Sequence, residues 1–102
     1  MTRIERFALW CFDYLADKQK LIVSADIERL AWEQCIFLKP GDSVRALRKL
    51  GYGGFVELKW ALNKFSPFPE SFYPAYSLTE RGMNQLWKIP LNPWDIFTEE
   101  EK

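Results

Sequence analysis

Residues 39–51 of the chain read KPGDSVRALRKLG. The Pro-Gly pair breaks the chain, and Asp42 or Ser43 can then cap a new helix by accepting a backbone N–H of its first turn. Apolar residues recur every three positions after the cap, and the terminal glycine occupies the place of a left-handed residue that ends a helix. The stretch therefore predicts a short helix over residues 43–50. Its buried face is centred on Val44, Leu47 and Leu50, and its ending residue is Gly51.

The opposite face of this helix is basic. On a wheel of 100° per residue, Arg45 and Lys49 project away from the apolar side chains, and Arg48 flanks them. Such a face suits the major groove of DNA, where arginine makes paired hydrogen bonds to guanine. Ser43, at the helix start, is expected to bond to a phosphate or a base. Asp42 either repels phosphate there or pairs with Arg45.

Helical and extended patterns flank this stretch. The first segment predicts a helix over residues 2–18, and residues 21–23 read as a brief β-branched strand. A second helix is expected over residues 25–36, with Ser24 as its N-cap. The buried stripe of the first helix is Ile4, Phe7, Ala8, Cys11 and Leu15.

The C-terminal half predicts a hairpin and a further helix. Residues 55–62 alternate as a half-buried strand does, residues 63–74 contain three prolines and predict a loop, and residues 75–78 are the return strand. Thr79 then caps a fourth helix, and Gly82 permits that helix to pack closely. The expected inner face is Met83, Leu86 and Trp87, with Pro90 limiting the helix.

The element order and three short motifs carry a family resemblance. Residues 23–31, residues 43–51 and the Tyr76–Gly82 stretch YSLTERG resemble the winged helix-turn-helix domain of bacterial and phage transcription regulators. The resemblance implies an α+β fold with a three-helix core, a small β-hairpin wing and a C-terminal helix over residues 1–90. Residues 91–102 would form an apolar and then acidic tail.

Composition bounds the chemistry. The chain has 14 basic and 14 acidic residues, no histidine and two cysteines. No nucleophile–histidine pair and no histidine metal ligand can form, so we expect no enzyme activity and no cofactor. No apolar run approaches the length of a membrane span, and two cysteines make no disulfide framework, so a reducing cytoplasm is the expected location.

The balanced charge hides a local excess. Residues 41–64 carry five basic and two acidic residues, a net charge of +3, whereas residues 89–102 carry −3. A basic middle on the helix that would read DNA favours a small DNA-binding transcriptional regulator, with double-stranded DNA as partner and a homodimer as its expected state. The expected DNA contacts are Ser43, Arg45, Arg48, Lys49, Lys59, Asn63 and Lys64.

A second function stays open because the loop in the wing position is aromatic. Residues 65–74 carry one charge, Glu70, and a DNA wing normally brings cations to the phosphates. Exposed rings of this kind more often meet protein. The alternative is a winged-helix protein-interaction module, such as a phage or mobile-element accessory protein or inhibitor. Its expected contacts are Phe65, Phe68, Phe72, Tyr73, Trp94 and Phe97.

Overall fold

The computed structural model describes residues 1–62 and 72–98. Within these ranges the chain forms five helices and one antiparallel hairpin, so its class is α+β. No described helix has the length and apolar character that crossing a membrane requires. The elements are α1 (Arg3–Leu15), α2 (Ser24–Glu33), α3 (Asp42–Tyr52), β1 (Val56–Leu62), β2 (Phe72–Leu78), α4 (Glu80–Leu86) and α5 (Pro93–Thr98).

Helix α1 is the centre of the core. It contacts α2, α3, α4 and α5, and for that reason residues outside the predicted stripe, such as Leu9, Trp10 and Phe12, are buried as well. Cys11 is fully buried, and desolvation raises the pKa of its thiol far above its usual value. The prediction that Cys11 lies on the buried stripe of this helix is confirmed, and its side chain packs there as a small apolar group.

The start of α2 differs from the prediction. Ser24 already lies inside the helix, and Val23 is the N-cap residue. The carboxylate of Asp26 accepts the Val23 N–H at 3.0 Å, so the cap comes from the third helical residue. The helix ends three residues before the predicted limit, because Cys35 adopts a left-handed φ of 57°.

The predicted strand at residues 21–23 is reduced to one residue. Ile22 exchanges two backbone hydrogen bonds of 2.8 Å with Tyr76 of β2. Strand β2 therefore has β1 on one side and Ile22 on the other. The Ile22 side chain is buried in the core.

Helix α3 runs further than predicted. It continues through Gly51 to Tyr52, and Gly54 takes the left-handed conformation with φ of 78°. The Phe55 N–H donates to the Leu50 carbonyl at 2.9 Å, which closes the helix end. The assignment of the helix end to Gly51 was wrong, because the sequence offers three glycines and only the hydrogen-bond pattern selects among them.

At the base of the hairpin, the end of α3 contacts the start of α4 through Thr79, and this contact is called the joint below. Thr79 caps α4 by accepting the Gly82 N–H at 3.1 Å, and its hydroxyl donates to the Gly54 carbonyl at 2.6 Å. A Cβ on Gly82 would overlap the Phe55 carbonyl oxygen and approach Leu78 Cδ1 to 2.6 Å. Both predictions, the Thr79 cap and the close packing at Gly82, are confirmed.

The inner face of α4 is narrower than predicted. Leu86 packs against the core, but Met83 and Trp87 are exposed by 54% and 80%. Buried Gly82 lies against the Phe55 carbonyl, and Ile89, beyond the end of the helix, is buried in the core where Trp87 is not.

The hairpin projects from the body with an exposed apolar face. Val56 pairs with Leu78, Leu58 with Tyr76, Trp60 with Pro74 and Leu62 with Phe72, so these eight side chains share one face. Only the base of that face is covered; Leu58, Trp60, Leu62 and Phe72 are exposed by 45–61%. On this face the predicted burial is found at Val56, whereas Leu58, Trp60 and Leu62 are exposed.

Strand β2 begins at Phe72, three residues before the predicted return strand, although Pro74 lies within it. The Phe55 carbonyl accepts the Thr79 N–H, which fixes the alternation of hydrogen-bonded pairs along the hairpin. By that alternation the Pro74–Trp60 pair is not hydrogen-bonded, so the missing N–H of proline leaves the ladder intact.

The tail returns to the body. Helix α5 packs on α1, with Ile96 fully buried and the Phe97 ring 5.9 Å from that of Phe7. The indole N–H of Trp10 donates to the Leu91 carbonyl at 2.9 Å. Residues 91–98 thus cover α1 in this structure.

Substitution of the predicted terminal residue of α3, Gly51, and of the left-handed Gly54 should change the free energy of unfolding in opposite directions. Gly54→Ala should lower the free energy of unfolding by about 1–2 kcal/mol, because alanine resists the left-handed conformation. Gly51→Ala should raise it by up to about 1 kcal/mol, because the residue is helical and its Cβ would meet the Tyr76 ring at an ordinary 3.9 Å. Urea unfolding followed by tryptophan fluorescence measures both. A loss of stability at Gly51 equal to that at Gly54 would contradict this helix end.

Candidate nucleic-acid interface

The buried face of α3 is rotated from the predicted one. Ser43, Ala46, Leu47 and Leu50 are buried, whereas Val44 is 42% exposed. Spacings of three, four and seven residues place the buried four on one stripe, which packs against α1 and α2. The prediction of Val44 in the core was wrong, because a serine holds the core position beside it.

Ser43 is buried and joins α3 to α2 by a hydrogen bond, so it is not available to a ligand. Its side chain is 1% exposed, and its hydroxyl donates to Glu28 Oε1 of α2 at 2.9 Å. The expected contact of Ser43 with a phosphate or base does not fit this burial. The sequence contained a signal for this burial, because Ser43, Ala46, Leu47 and Leu50 have the i, i+3, i+4, i+7 spacing of one helix face. A polar residue can occupy a buried position on such a face when it has a hydrogen-bond partner.

Arg45 is exposed but tethered. Its Nη2 atom lies 2.7 Å from Asp42 Oδ1, which is the pairing that the sequence left as one of two alternatives. The guanidinium folds back over the turn, where a Cβ on Gly41 would lie 2.9 Å from Nη1. Asp42 therefore reduces the charge that Arg45 offers to an anion.

Asp42 remains ionised under ordinary conditions. The Lys39 N–H donates to its Oδ2 atom at 2.9 Å, and this bond, followed by the bond from Arg45, holds the pKa of Asp42 below its usual value. The Asp42–Arg45 pair consequently persists at neutral pH and weakens only in acid.

Lys49 lies beside a second carboxylate. A small cleft between the start of α1 and α3 holds Glu5, Asp42, Arg45 and Lys49 along its walls. Burial opposes ionisation of Glu5, but hydrogen bonds from the Thr2 hydroxyl and N–H, the N-terminal ammonium and Lys49 together lower its pKa. The α1 side of α3 is thus close to charge balance.

Arg48 differs from these two cations. It is exposed, and within residues 1–62 and 72–98 no carboxylate lies within ion-pair distance of it. Its neighbours on the outward face of α3 are Val44 and Tyr52, which is 82% exposed. Arg48 is the strongest anion-binding candidate on the helix.

Lys59 does not join this group. A Cβ on Gly51 would meet the Tyr76 ring, so α3 lies on the hairpin face that carries Tyr76 and Leu58. Lys59 alternates with Leu58 and points to the other face, where it pairs with Glu57 at 3.4 Å. The structure therefore brings together Arg45, Arg48 and Lys49 and separates Lys59 from them. Asn63 and Lys64 lie outside the described residues.

The aromatic residues expected to contact protein are divided. Phe65 and Phe68 lie outside the described ranges. Phe72 is 53% exposed on the apolar hairpin face, and Tyr73 is 40% exposed on the opposite face. Trp94, 44% exposed, and the partly buried Phe97 belong to α5.

Two exposed rings beside one groove are among the residues that the sequence did not single out. Trp32 and Phe37 are 84% and 87% exposed. With Ala31, Ile36 and Leu38 they line an apolar groove between the end of α2 and the turn that leads to α3. The available signal was that Trp32 falls off the Ile27, Leu30 and Ala31 stripe of its helix.

No protein-family model matches the chain, and no curated protein or solved structure matches it. Within the described ranges, no three acidic or cysteine side chains lie together as metal ligands would. The chemistry of the α3 face and of the exposed rings is therefore what bears on function.

The charge of Glu5 should make a measurable, pH-dependent contribution to stability. Because folding lowers its pKa, the contribution is present above the unfolded value of about 4.3 and is lost as the pH falls through the folded value. Glu5→Gln, which keeps an acceptor for the helix cap, should cost about 0.3–1 kcal/mol at pH 7 and clearly less at about pH 3. Urea unfolding at both pH values measures the difference.

Glu33→Gln is the matched control, because Glu33 is an exposed carboxylate at the C-terminal end of α2. Its removal should leave stability unchanged or slightly raised at pH 7. An equal loss in the two variants would show that general surface charge, and not the α1 cap, controls stability.

Proposed function

We propose that this chain is a winged-helix DNA-binding domain of the transcription-regulator type, which places α3 in the major groove of double-stranded DNA. The observation that carries the proposal is the outward face of α3, where exposed Arg48 lies between Arg45 and Val44 with no described carboxylate beside it. The element order supports it, because α1, the Ile22 bridge, α2, α3, the hairpin and α4 follow the winged-helix sequence of elements.

The contacts follow from side-chain chemistry. Arg48 has the reach and the paired donors to bind the major-groove edge of guanine. Val44, one turn earlier, offers methyl groups to the methyl of thymine, and Tyr52, one turn later, offers a hydroxyl to a phosphate. Lys49 and Arg45 flank this row and contact the DNA backbone.

Affinity should be modest and dependent on salt. Two of the three cations on α3 have a carboxylate nearby, Asp42 for Arg45 and Glu5 for Lys49. The described part of the hairpin adds only Lys59, which is paired with Glu57 and lies on the face away from α3. Binding would therefore depend on few phosphate contacts, each adding about 0.9 to the slope of log affinity against log salt.

Charge reversal at Arg48 tests the proposal directly. Arg48→Glu should raise the Kd for short random-sequence duplexes about tenfold or more at about 50 mM salt, since it replaces an exposed cation with an anion that DNA repels. Fluorescence anisotropy measures the binding. Lys18→Glu is the matched control, because it makes the same charge change beyond the far end of α1, about 20 Å from the start of that helix. Equal losses in both variants, or no binding by the unaltered chain, would overturn the proposal.

Releasing Arg45 should have the opposite effect. Asp42→Asn keeps an oxygen for the Lys39 N–H but removes the charge that holds Arg45. Affinity for duplex DNA should rise about threefold to tenfold, and the salt dependence should steepen by about one phosphate contact. A Kd unchanged by Asp42→Asn would place Arg45 outside the DNA contact.

A second candidate is a winged-helix protein-interaction module. The observation that favours it is the pair of rings, Trp32 and Phe37, exposed beside an apolar groove, since aromatic residues are enriched where proteins meet. A pull-down from source cells with the unaltered chain, Trp32→Ser/Phe37→Ser and Arg48→Glu separates the two functions. A protein captured by Arg48→Glu but lost with the double variant would support the module over DNA binding.

A further inference from the structure

One edge of strand β1 has no partner strand among the described residues. Among the described residues it pairs only with β2, and β2 has Ile22 on its far side, so β1 lies at the edge of the sheet. Glu57, Leu58, Lys59 and Trp60 are all exposed. An exposed edge carries unpaired backbone N–H and C=O groups, which are a template for another strand.

The hydrogen-bond pattern shows which residues present those groups. The Phe55 carbonyl accepts the Thr79 N–H, so by the alternation of the strand the backbone groups of Glu57 and Lys59 are also directed toward β2. The bonds between Tyr76 and Ile22 agree, because Tyr76 faces Leu58 across the hairpin and directs its own groups the other way. Leu58 and Trp60 therefore direct their N–H and C=O groups outward, into the open edge.

We propose that β1 pairs antiparallel with β1 of a second copy of this chain, about a two-fold axis at Leu58, to form a four-stranded sheet. In this register Leu58 faces Leu58 of the second copy and exchanges both backbone hydrogen bonds with it. Trp60 faces Val56 of the second copy, which is again an outward-directed pair.

The charges of Glu57 and Lys59 favour a second copy of this chain as the partner, and they favour the register centred on Leu58. Glu57 and Lys59 lie on either side of Leu58 and share one face of the strand, so each carboxylate would face a lysine of the second copy, twice per dimer. These are non-hydrogen-bonded positions, in which the side chains approach most closely. An axis at Trp60 would put Lys59 opposite Ala61, and an axis at Val56 would put Glu57 opposite Phe55, which leaves the charges unmatched.

The apolar face supports the same pairing. Leu58, Trp60 and Leu62 are exposed by 45–61% and follow one another along β1. Antiparallel pairing about Leu58 would bring the exposed Leu58 side chains of the two copies together, whereas Val56, which faces Trp60 in this register, is buried within its own chain.

Charge reversal gives a test that both breaks and restores the interface. Glu57→Lys places lysine opposite lysine, and Lys59→Glu places glutamate opposite glutamate, so each variant alone should dimerise with a Kd at least about tenfold higher than the unaltered chain. The double exchange Glu57→Lys/Lys59→Glu restores both pairs and should recover dimerisation. An equimolar mixture of the two single variants should form a heterodimer for the same reason.

Sedimentation equilibrium of the full chain, without DNA, from about 1 µM to about 1 mM measures these masses. Both residues are exposed, and circular dichroism checks that each variant is folded. A chain that is monomeric throughout the range overturns the proposal. A dimer that persists in both single charge reversals also overturns the proposal. A dimer that Trp60→Ser dissociates and the charge reversals do not overturns it as well, because packing between apolar faces would then hold the two copies together. Because no nucleic acid is present, the result is independent of the DNA-binding proposal.

Discussion

Two backbone carbonyls at the end of α3 join the halves of this fold. The Gly54 carbonyl accepts the Thr79 hydroxyl, and the Phe55 carbonyl accepts the Thr79 N–H while Gly82 lies against it. The chain leaves this point into β1 and returns to it from β2, so a single residue, Thr79, ends the hairpin and starts α4. A side chain at Gly82 would separate α4 from α3, and the left-handed Gly54 directs its carbonyl at Thr79. The positions of the hairpin and of α4 relative to α3 depend on this contact.

The same joint determines which face of α3 is free. With α1 and α2 on the stripe of Ser43, Ala46 and Leu47, and with Tyr76 beside Gly51, the remaining surface holds Arg45, Arg48 and Val44. The positive charge is partly neutralised on one side of that surface and not on the other. Asp42 and Glu5 moderate the α1 side, whereas Arg48 stands on the side toward the hairpin. A ligand that needs one strong cation beside apolar and aromatic groups fits this face better than one that needs a broad basic patch.

Local patterns in the sequence predicted much of this arrangement. Helical periodicity located α1, α2 and α3, and the Thr79 cap and the Gly82 contact depend on residues three apart or on the absence of a side chain. The Asp42–Arg45 pair was one of two alternatives that the sequence left open. The errors arose where packing between distant elements decides the outcome. Ser43 is buried and Val44 is exposed, the reverse of the prediction, because the Ser43 hydroxyl donates to Glu28 of α2. Trp60 is exposed because no described element lies beneath the outer part of the hairpin. Neither fact is written in the spacing of one segment.

The apolar hairpin face and the α3 face have a geometric relation that bears on both proposals. Tyr76 places α3 on the same side of the sheet as Leu58 and Trp60. A two-fold axis at Leu58 that runs perpendicular to the sheet turns each face onto itself, so both α3 helices of a dimer would remain on one side, flanking the apolar band. Glu57 and Lys59 would pair on the other side, away from both helices. If α3 binds DNA as proposed, two α3 helices related by such an axis would match the symmetry of a palindromic duplex, in which two half-sites lie on one face of the DNA. The edge strand and α3 can therefore act together, although each is tested by residues that the other does not use.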